Sequence, residues 1–169
     1  NVLSSAMQSE VRAALDRAAA DGAVVLLRGR DKAFSAGFDL GTLQEGGDAA
    51  LTMLRGGFEL AELLLSFPLP VVIACRGHAM AMGAFLLLCG DYRIGVTGTT
   101  KFAANEVAIG MTMPHPAIEI LRHKLTPAAF TRATLLAETF TPNNAVEVGF
   151  LDQVVPPGEL DGAARSTAQ

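Results

Sequence analysis

The sequence is short of charge, of cysteine and of long apolar runs. Charged side chains make up 18% of its 169 residues, and 13 Lys and Arg against 17 Asp and Glu leave a formal net charge of −4. With no basic block, it has no electrostatic footprint for nucleic acid. No apolar run reaches the about 18 residues a membrane span needs, because Gly, Pro or Arg interrupts each candidate. Two cysteines, Cys75 and Cys89, are too few for a disulfide framework or a zinc site and fit a reducing, cytoplasmic setting. The P-loop, the dinucleotide-binding glycine fingerprint, His-Glu-x-x-His and the G-x-S-x-G elbow are all missing. Asn1-Val2-Leu3 is neither an initiator Met nor a basic leader with an apolar stretch, so it reads as an interior start.

What the sequence does have is apolar content. Hydrophobic residues reach 50%, which excludes disorder, and the length suits one domain over residues 1–169 with a single core. Ser5-Ala6-Met7-Gln8 matches a capping box, and Met7, Val11, Ala14, Leu15 and Ala18 follow at helical spacing up to Asp21-Gly22. Ala23 to Leu27 is a short apolar run bounded by glycines, predicting a strand buried on both faces. A loop is expected from Lys32 to Gly41, then a turn at Gly46-Gly47-Asp48. Leu54, Phe58, Ala61 and Leu65 mark a second helix stopped by Pro68 and Pro70. Val71 to Ala74 and Tyr92 to Val96 predict further strands on either side of a Leu86-Leu87-Leu88 helix. Thr126-Pro127 and Thr141-Pro142 look like caps followed by Pro in the first helical turn. Gln153-Val154-Val155 reads as a last short strand, and Ala163 to Gln169 as a frayed tail. Strand and helix alternate, so the fold class is α/β with parallel pairing.

Two segments stand out: Ala33-Phe34-Ser35-Ala36-Gly37-Phe38-Asp39-Leu40 and Gly77-His78-Ala79-Met80-Ala81-Met82-Gly83. Each follows an apolar strand and is rich in Gly and Ala, which lets backbone approach a ligand closely; each also suits an ordinary tight turn. The second leads into a helix, whose first N–H groups are unpaired and carry partial positive charge. Two such donors meeting at one point make an oxyanion hole.

Together with Cys89-Gly-Asp-Tyr-Arg-Ile94 and Phe102-Ala-Ala-Asn-Glu-Val-Ala-Ile-Gly110, these segments resemble the enoyl-CoA hydratase/isomerase (crotonase) superfamily. The resemblance runs from Asn1 to Val155. It implies a crotonase-like spiral of ββα turns, homotrimers or pairs of trimers, and a coenzyme A thioester as substrate with no separate cofactor. It also implies that the family's opening strands and closing C-terminal helices lie outside this sequence. The family's oxyanion donors fall on the backbone N–H groups of Phe38 and Met82. Met82 carries a Cβ where many relatives have Gly, so the turn must keep it out of φ > 0. Ala36, Asp39, Leu40 and Gly41 match the stretch along the adenine and pantetheine arm of the thioester.

The family's hydratases hold water with two glutamates. Glu106 matches the second, but the first falls on Phe85, which neither accepts a proton nor orients water. One carboxylate facing an oxyanion hole is the minimum for moving a proton between two carbons. The resemblance therefore implies an isomerase in which Glu106 shifts a 3-enoyl double bond to position 2. Phe85, Met82, Met111 and Ile109 are expected to desolvate Glu106 and raise its pKa. Other enolate chemistry on the same scaffold (hydration, hydrolysis or decarboxylation) would enlist His115 or Glu119. A non-catalytic acyl-CoA binder is the third possibility. Fatty-acid oxidation is the family's most frequent setting.

The remaining candidates have plainer readings. His78 suits a structural place after Gly77, and His123, between Arg122 and Lys124, suits a solvated helix face. Met80, Met82, Met111 and Met113 fill core or give an adaptable acyl pocket. Arg28, Arg30 and Lys32 are surface cations able to meet coenzyme A phosphates. Asp91-Tyr92-Arg93 reads as structural, and no partners at metal-ligand spacing support zinc.

Overall fold

A computed structural model describes residues 1–30 and 32–169. The described residues form seven strands: β1 (Val25–Arg28), β2 (Ala33–Ser35), β3 (Val71–Cys75), β4 (His78–Met80), β5 (Tyr92–Val96), β6 (Phe102–Ala103) and β7 (Gln153–Val155). Around them lie α1 (Ser5–Ala20), α2 (Leu40–Glu45), α3 (Gly47–Leu65), α4 (Met82–Leu88), α5 (His115–Lys124), α6 (Pro127–Leu136), α7 (Pro142–Val148) and α8 (Leu160–Thr167).

Chain geometry explains the topology. A parallel neighbour in one sheet needs a crossover of a dozen residues or more, whereas only a short loop separates β1 from β2, β3 from β4 and β5 from β6. The second strand of each pair therefore starts a different sheet. One sheet has the order β1-β3-β5-β7 and the other β2-β4-β6, and every ladder is parallel. The helices return the chain to the first sheet after each pair, giving the ββα spiral that the resemblance implied. Phe85, Phe102, Phe140 and Phe150 are fully buried in the main core, and a smaller cluster packs Leu160 and Ala164 of α8 on Val72, Ala74 and Ile94.

Several sequence expectations shift. The cap of α1 is Ser4, not Ser5: its hydroxyl accepts from the Met7 N–H at 3.3 Å. Gln8 is no capping-box partner, because it is buried and its amide donates to the carbonyls of Leu3 and Met53 at 3.4 and 2.8 Å. Only Val25 of β1 is buried, since β1 lies at the sheet edge. The expected Lys32–Gly41 loop contains β2 and leads into α2. The buried face of α3 runs through Met53, Gly57, Leu60 and Leu64, so Leu54 and Phe58 are half-buried and Leu65 is exposed. The tail expected to fray forms α8, because Leu160 and Ala164 lie one turn apart on its buried face. Asp161 ties that helix to Arg28 and Arg76 at 3.6 and 3.3 Å.

Asp91-Tyr92-Arg93 is structural, as read. The Asp91 carboxylate accepts from the Val71 N–H at 2.8 Å. Buried Arg93 grips Asp152 with Nε and Nη2, each at 2.8 Å, and donates from Nη1 to the Gly149 carbonyl at 2.7 Å. This pins the segment before β7 beside β5. No helix among the described residues is long and apolar enough to cross a membrane.

Candidate active site

Phe38, Met82 and Glu106 each lie just beyond the C-terminal end of a strand of the three-stranded sheet, β2, β4 and β6 respectively. These strands are parallel neighbours, with Ala33 opposite His78 and Ala79 opposite Phe102, so their ends fall on one edge. The C-terminal edge of a parallel sheet is where loops converge to form sites.

Small residues bring the first two loops together. Gly37 has φ +89°, and a Cβ there would approach the Met80 carbonyl to 3.1 Å and the Met82 nitrogen to 3.4 Å. A Cβ on Gly83 would run into the Ser35 carbonyl. The Ser35 hydroxyl accepts from the Gly37 N–H at 3.2 Å, and the Phe38 ring lies where a Cβ of Gly57 would be, which anchors that residue on α3. Neither the Phe38 nor the Met82 N–H donates to a loop, turn or cap carbonyl among the described residues. Met82 is the first residue of α4 and avoids positive φ, as required. The unfavourable conformation falls instead on Ala81, at φ 50° and ψ −127°, whose N–H donates to the Ala103 carbonyl of β6 at 2.9 Å.

Glu106 follows β6 and opens a 3-10 turn over Val107–Ile109, its carbonyl accepting from the N–H groups of Ile109 and Met111 at 3.1 and 2.9 Å. The residue is 6% exposed, and Oε2 is buried with no hydrogen-bond partner. Burial pushes its carboxyl up to about 7, against a smaller downward pull from its own backbone N–H. Two of the expected shielding residues are misplaced: Ile109 and Met111 are 57% and 41% exposed, because the turn carries them outward. Met82 and Phe85 are buried as expected. The neighbouring Asn105 also has a buried, unpartnered oxygen, Oδ1, which no motif or spacing singles out.

The other candidates separate. Phe85, one turn into α4, stacks on Phe58 of α3 with ring centres 6.4 Å apart. Ala36, Leu40 and Gly41 are exposed beside the Phe38 turn. Asp39 caps α2, accepting from the Thr42 N–H at 2.9 Å; an Asp three residues ahead of Thr42 was the unread signal for that helix. His78 has the structural place expected of it, its Nδ1 accepting from the Lys101 N–H at 3.0 Å. His115 is exposed at the start of α5, and Glu119 is exposed and paired with Arg122 at 3.4 Å. Met113 is buried and Met80 half-buried, and Arg30 and Lys32 are exposed. Cys75 and Cys89 are buried, with both thiols raised by desolvation. No cluster of three or more potential metal ligands lies among the described residues.

The arrangement offers two main-chain donors and one buried carboxyl on a single sheet edge, and known proteins share its frame. The sequence model of the family described as enoyl-CoA hydratase/isomerase matches residues 1–169. An enoyl-CoA isomerase structure from Mycobacterium tuberculosis is 47% identical with a TM-score of 0.94, covering 99% of this chain and 74% of its own. An enoyl-CoA hydratase structure from Mycobacterium ulcerans is 46% identical at TM-score 0.96, with the same coverage. A peroxisomal enoyl-CoA delta isomerase of Arabidopsis thaliana is 30% identical over 145 residues, 82% of this chain and 60% of its own length. A Rhodobacter capsulatus relative designated an enoyl-CoA hydratase is 31% identical over 169 residues, and this chain spans 65% of its length. The family model covers the whole chain, which therefore belongs to the enoyl-CoA hydratase/isomerase family.

Proposed function

We propose that the chain acts on a coenzyme A thioester and moves the double bond of a 3-enoyl-CoA to position 2. The observation that carries this reading is the Glu106 carboxyl, buried with its Oε2 unpartnered and pushed up to about 7, with Phe85 where the resemblance puts the second acid that hydration needs. The ionised carboxylate takes a proton from C2, and the electron pair spreads over C2, C3 and C4 and onto the thioester oxygen. The Phe38 and Met82 N–H groups receive that oxygen; donors of this kind are each worth about 10²–10³ in rate. The protonated Glu106 then returns the proton to C4, leaving the double bond between C2 and C3. A base whose pKa lies near the working pH suits both transfers. Ala36, Leu40 and Gly41 are open for the pantetheine and adenine arm, and Asp39 caps the helix that begins at Leu40.

An oligomer, trimeric by the family resemblance, and a cytoplasmic location belong to the same proposal. Ile109, Leu135 and Leu136, 57, 68 and 71% exposed, favour a covered surface. Turnover of a 3-enoyl-CoA by wild type, Glu106→Gln and Phe85→Glu tests the reaction. Wild type isomerises, and Glu106→Gln loses about 10²–10⁴-fold in rate while still binding. Phe85→Glu gains hydration of a 2-enoyl-CoA. Unchanged isomerisation by Glu106→Gln contradicts the reading.

A further inference from the structure

The two main-chain donors are aimed by different parts of the chain. In a planar trans peptide the carbonyl and the following N–H point in opposite directions, so whatever grips the carbonyl also directs that N–H. The Ala81 carbonyl accepts from the N–H groups of Ala84 and Phe85 at 2.8 and 3.2 Å. The first turn of α4 therefore aims the Met82 N–H from within its own helix. The Gly37 carbonyl instead accepts from the Leu3 N–H at 2.8 Å. Leu3 and Phe38 form a parallel bridge, and the Ala36 N–H donates to the Asn1 carbonyl at 3.0 Å. Residues 1–3 thus lie along residues 36–38 like a short strand, and the Phe38 N–H faces away from them.

This short segment is anchored at both ends. Leu3 is buried in the main core. Asn1 donates through Nδ2 to the carbonyls of Arg30 and Ala33, at 2.8 and 2.5 Å, on either side of the β1–β2 connection. A side-chain amide has two N–H donors, and both are used here. We infer that Asn1 is a positioning residue of the oxyanion hole: its amide fixes residues 1–3 beside β2, and the Leu3 N–H then turns the Gly37–Phe38 peptide so that the Phe38 N–H faces the thioester oxygen. This rests on the proposed acyl-CoA chemistry and deepens it. It also makes the two donors separable, because Asn1 bears on Phe38 and not on Met82.

Infrared spectra of bound hexanoyl-CoA, isotopically labelled at the thioester carbonyl, read the donors without turnover, since hydrogen bonds to that oxygen lower its stretching frequency. Wild type, Asn1→Asp, Asn1→Ala and Ser4→Ala are compared in this band, in kcat and KM for a 3-enoyl-CoA, and in melting temperature. Asn1→Asp keeps the side-chain shape but sets a carboxylate against two carbonyls. It loses about half of the wild-type band shift, as one of two donors turns away. Its kcat falls about 10²-fold through misplacement of that donor. KM changes little, because the oxyanion develops in the transition state. Asn1→Ala loses less, since the two exposed carbonyls then take water; without repulsion, it reads the same loss if Asn1→Asp does not fold. Ser4→Ala removes the α1 cap beside Leu3 and lowers the melting temperature, yet keeps the wild-type band and kcat. A wild-type shift that both Asn1 variants leave whole overturns the positioning role and spares the oxyanion hole. Equal loss of the shift in Ser4→Ala also overturns the role, because the loss would then follow stability. A wild-type band at its free-solution frequency refutes the hole and the role together. A shifted band that depends on Asn1, without 3-enoyl-CoA turnover, refutes the isomerisation alone.

Discussion

At the scale of single residues, Glu106 has the sharpest consequences. Its carboxyl, raised to about 7, is protonated in the fold at pH values where the unfolded chain has already lost the proton. The native state thus binds more protons than the unfolded state between the ordinary carboxyl range and about 7. The sign follows: the protonated carboxyl tolerates burial at low pH, and stability falls as pH rises through that window. Glu106→Gln removes this dependence, so its melting temperature should exceed that of wild type by a margin that grows from pH 5 to pH 8. A constant margin in thermal scans would mean that the carboxyl titrates normally. The same group predicts the rate profile. A base must be ionised, so kcat/KM for a 3-enoyl-CoA should rise with pH through about 7 and level off above it.

At the scale of elements, the site is a property of three very short strands. β2, β4 and β6 have only two or three residues each, too few to show a period, and pairing across the sheet defines them. β3 and β5 are therefore legible in the sequence, as longer strands that are nearly all buried, whereas the smaller sheet reads as loops. Glu106 could be aligned by its motif, yet its burial could not be read from Ile109 and Met111, which face outward. The turn between β4 and α4 stores a cost at Ala81, where φ 50° and ψ −127° suit Gly rather than an L residue. Ala81→Gly should therefore stabilise the chain, by about 1 kcal/mol in denaturant unfolding. Ala81→Val should destabilise it and lower turnover by displacing the Met82 N–H. A stabilising Val at this position would contradict the strain.

At the scale of the whole molecule, the spiral depends on successive turns keeping their register. The Arg93–Asp152 pair secures the last, joining β5 to the segment before β7 across a sequence separation of 59. Arg93 holds the Asp152 carboxyl below the usual range despite an opposing desolvation. That contribution is present at neutral pH and fades on acidification through the lowered pKa. Asp152→Ala leaves a buried guanidinium without its partner and should cost about 3–5 kcal/mol at pH 7, and less in acid, by denaturant unfolding. The spiral itself was legible only through the resemblance, because local patterning shows strand–helix alternation but not which strands share a sheet.

The central claim is that one carboxyl removes a C2 proton while two peptide N–H groups hold the thioester oxygen. Exchange of the C2 hydrogens of a saturated acyl-CoA for deuterium, followed by NMR in heavy water, reads this step without any double-bond shift. Wild type should exchange them, with the rate rising through a pD near 7, and Glu106→Gln should bind the thioester with equal affinity and exchange nothing. Exchange by Glu106→Gln at the wild-type rate would contradict the account.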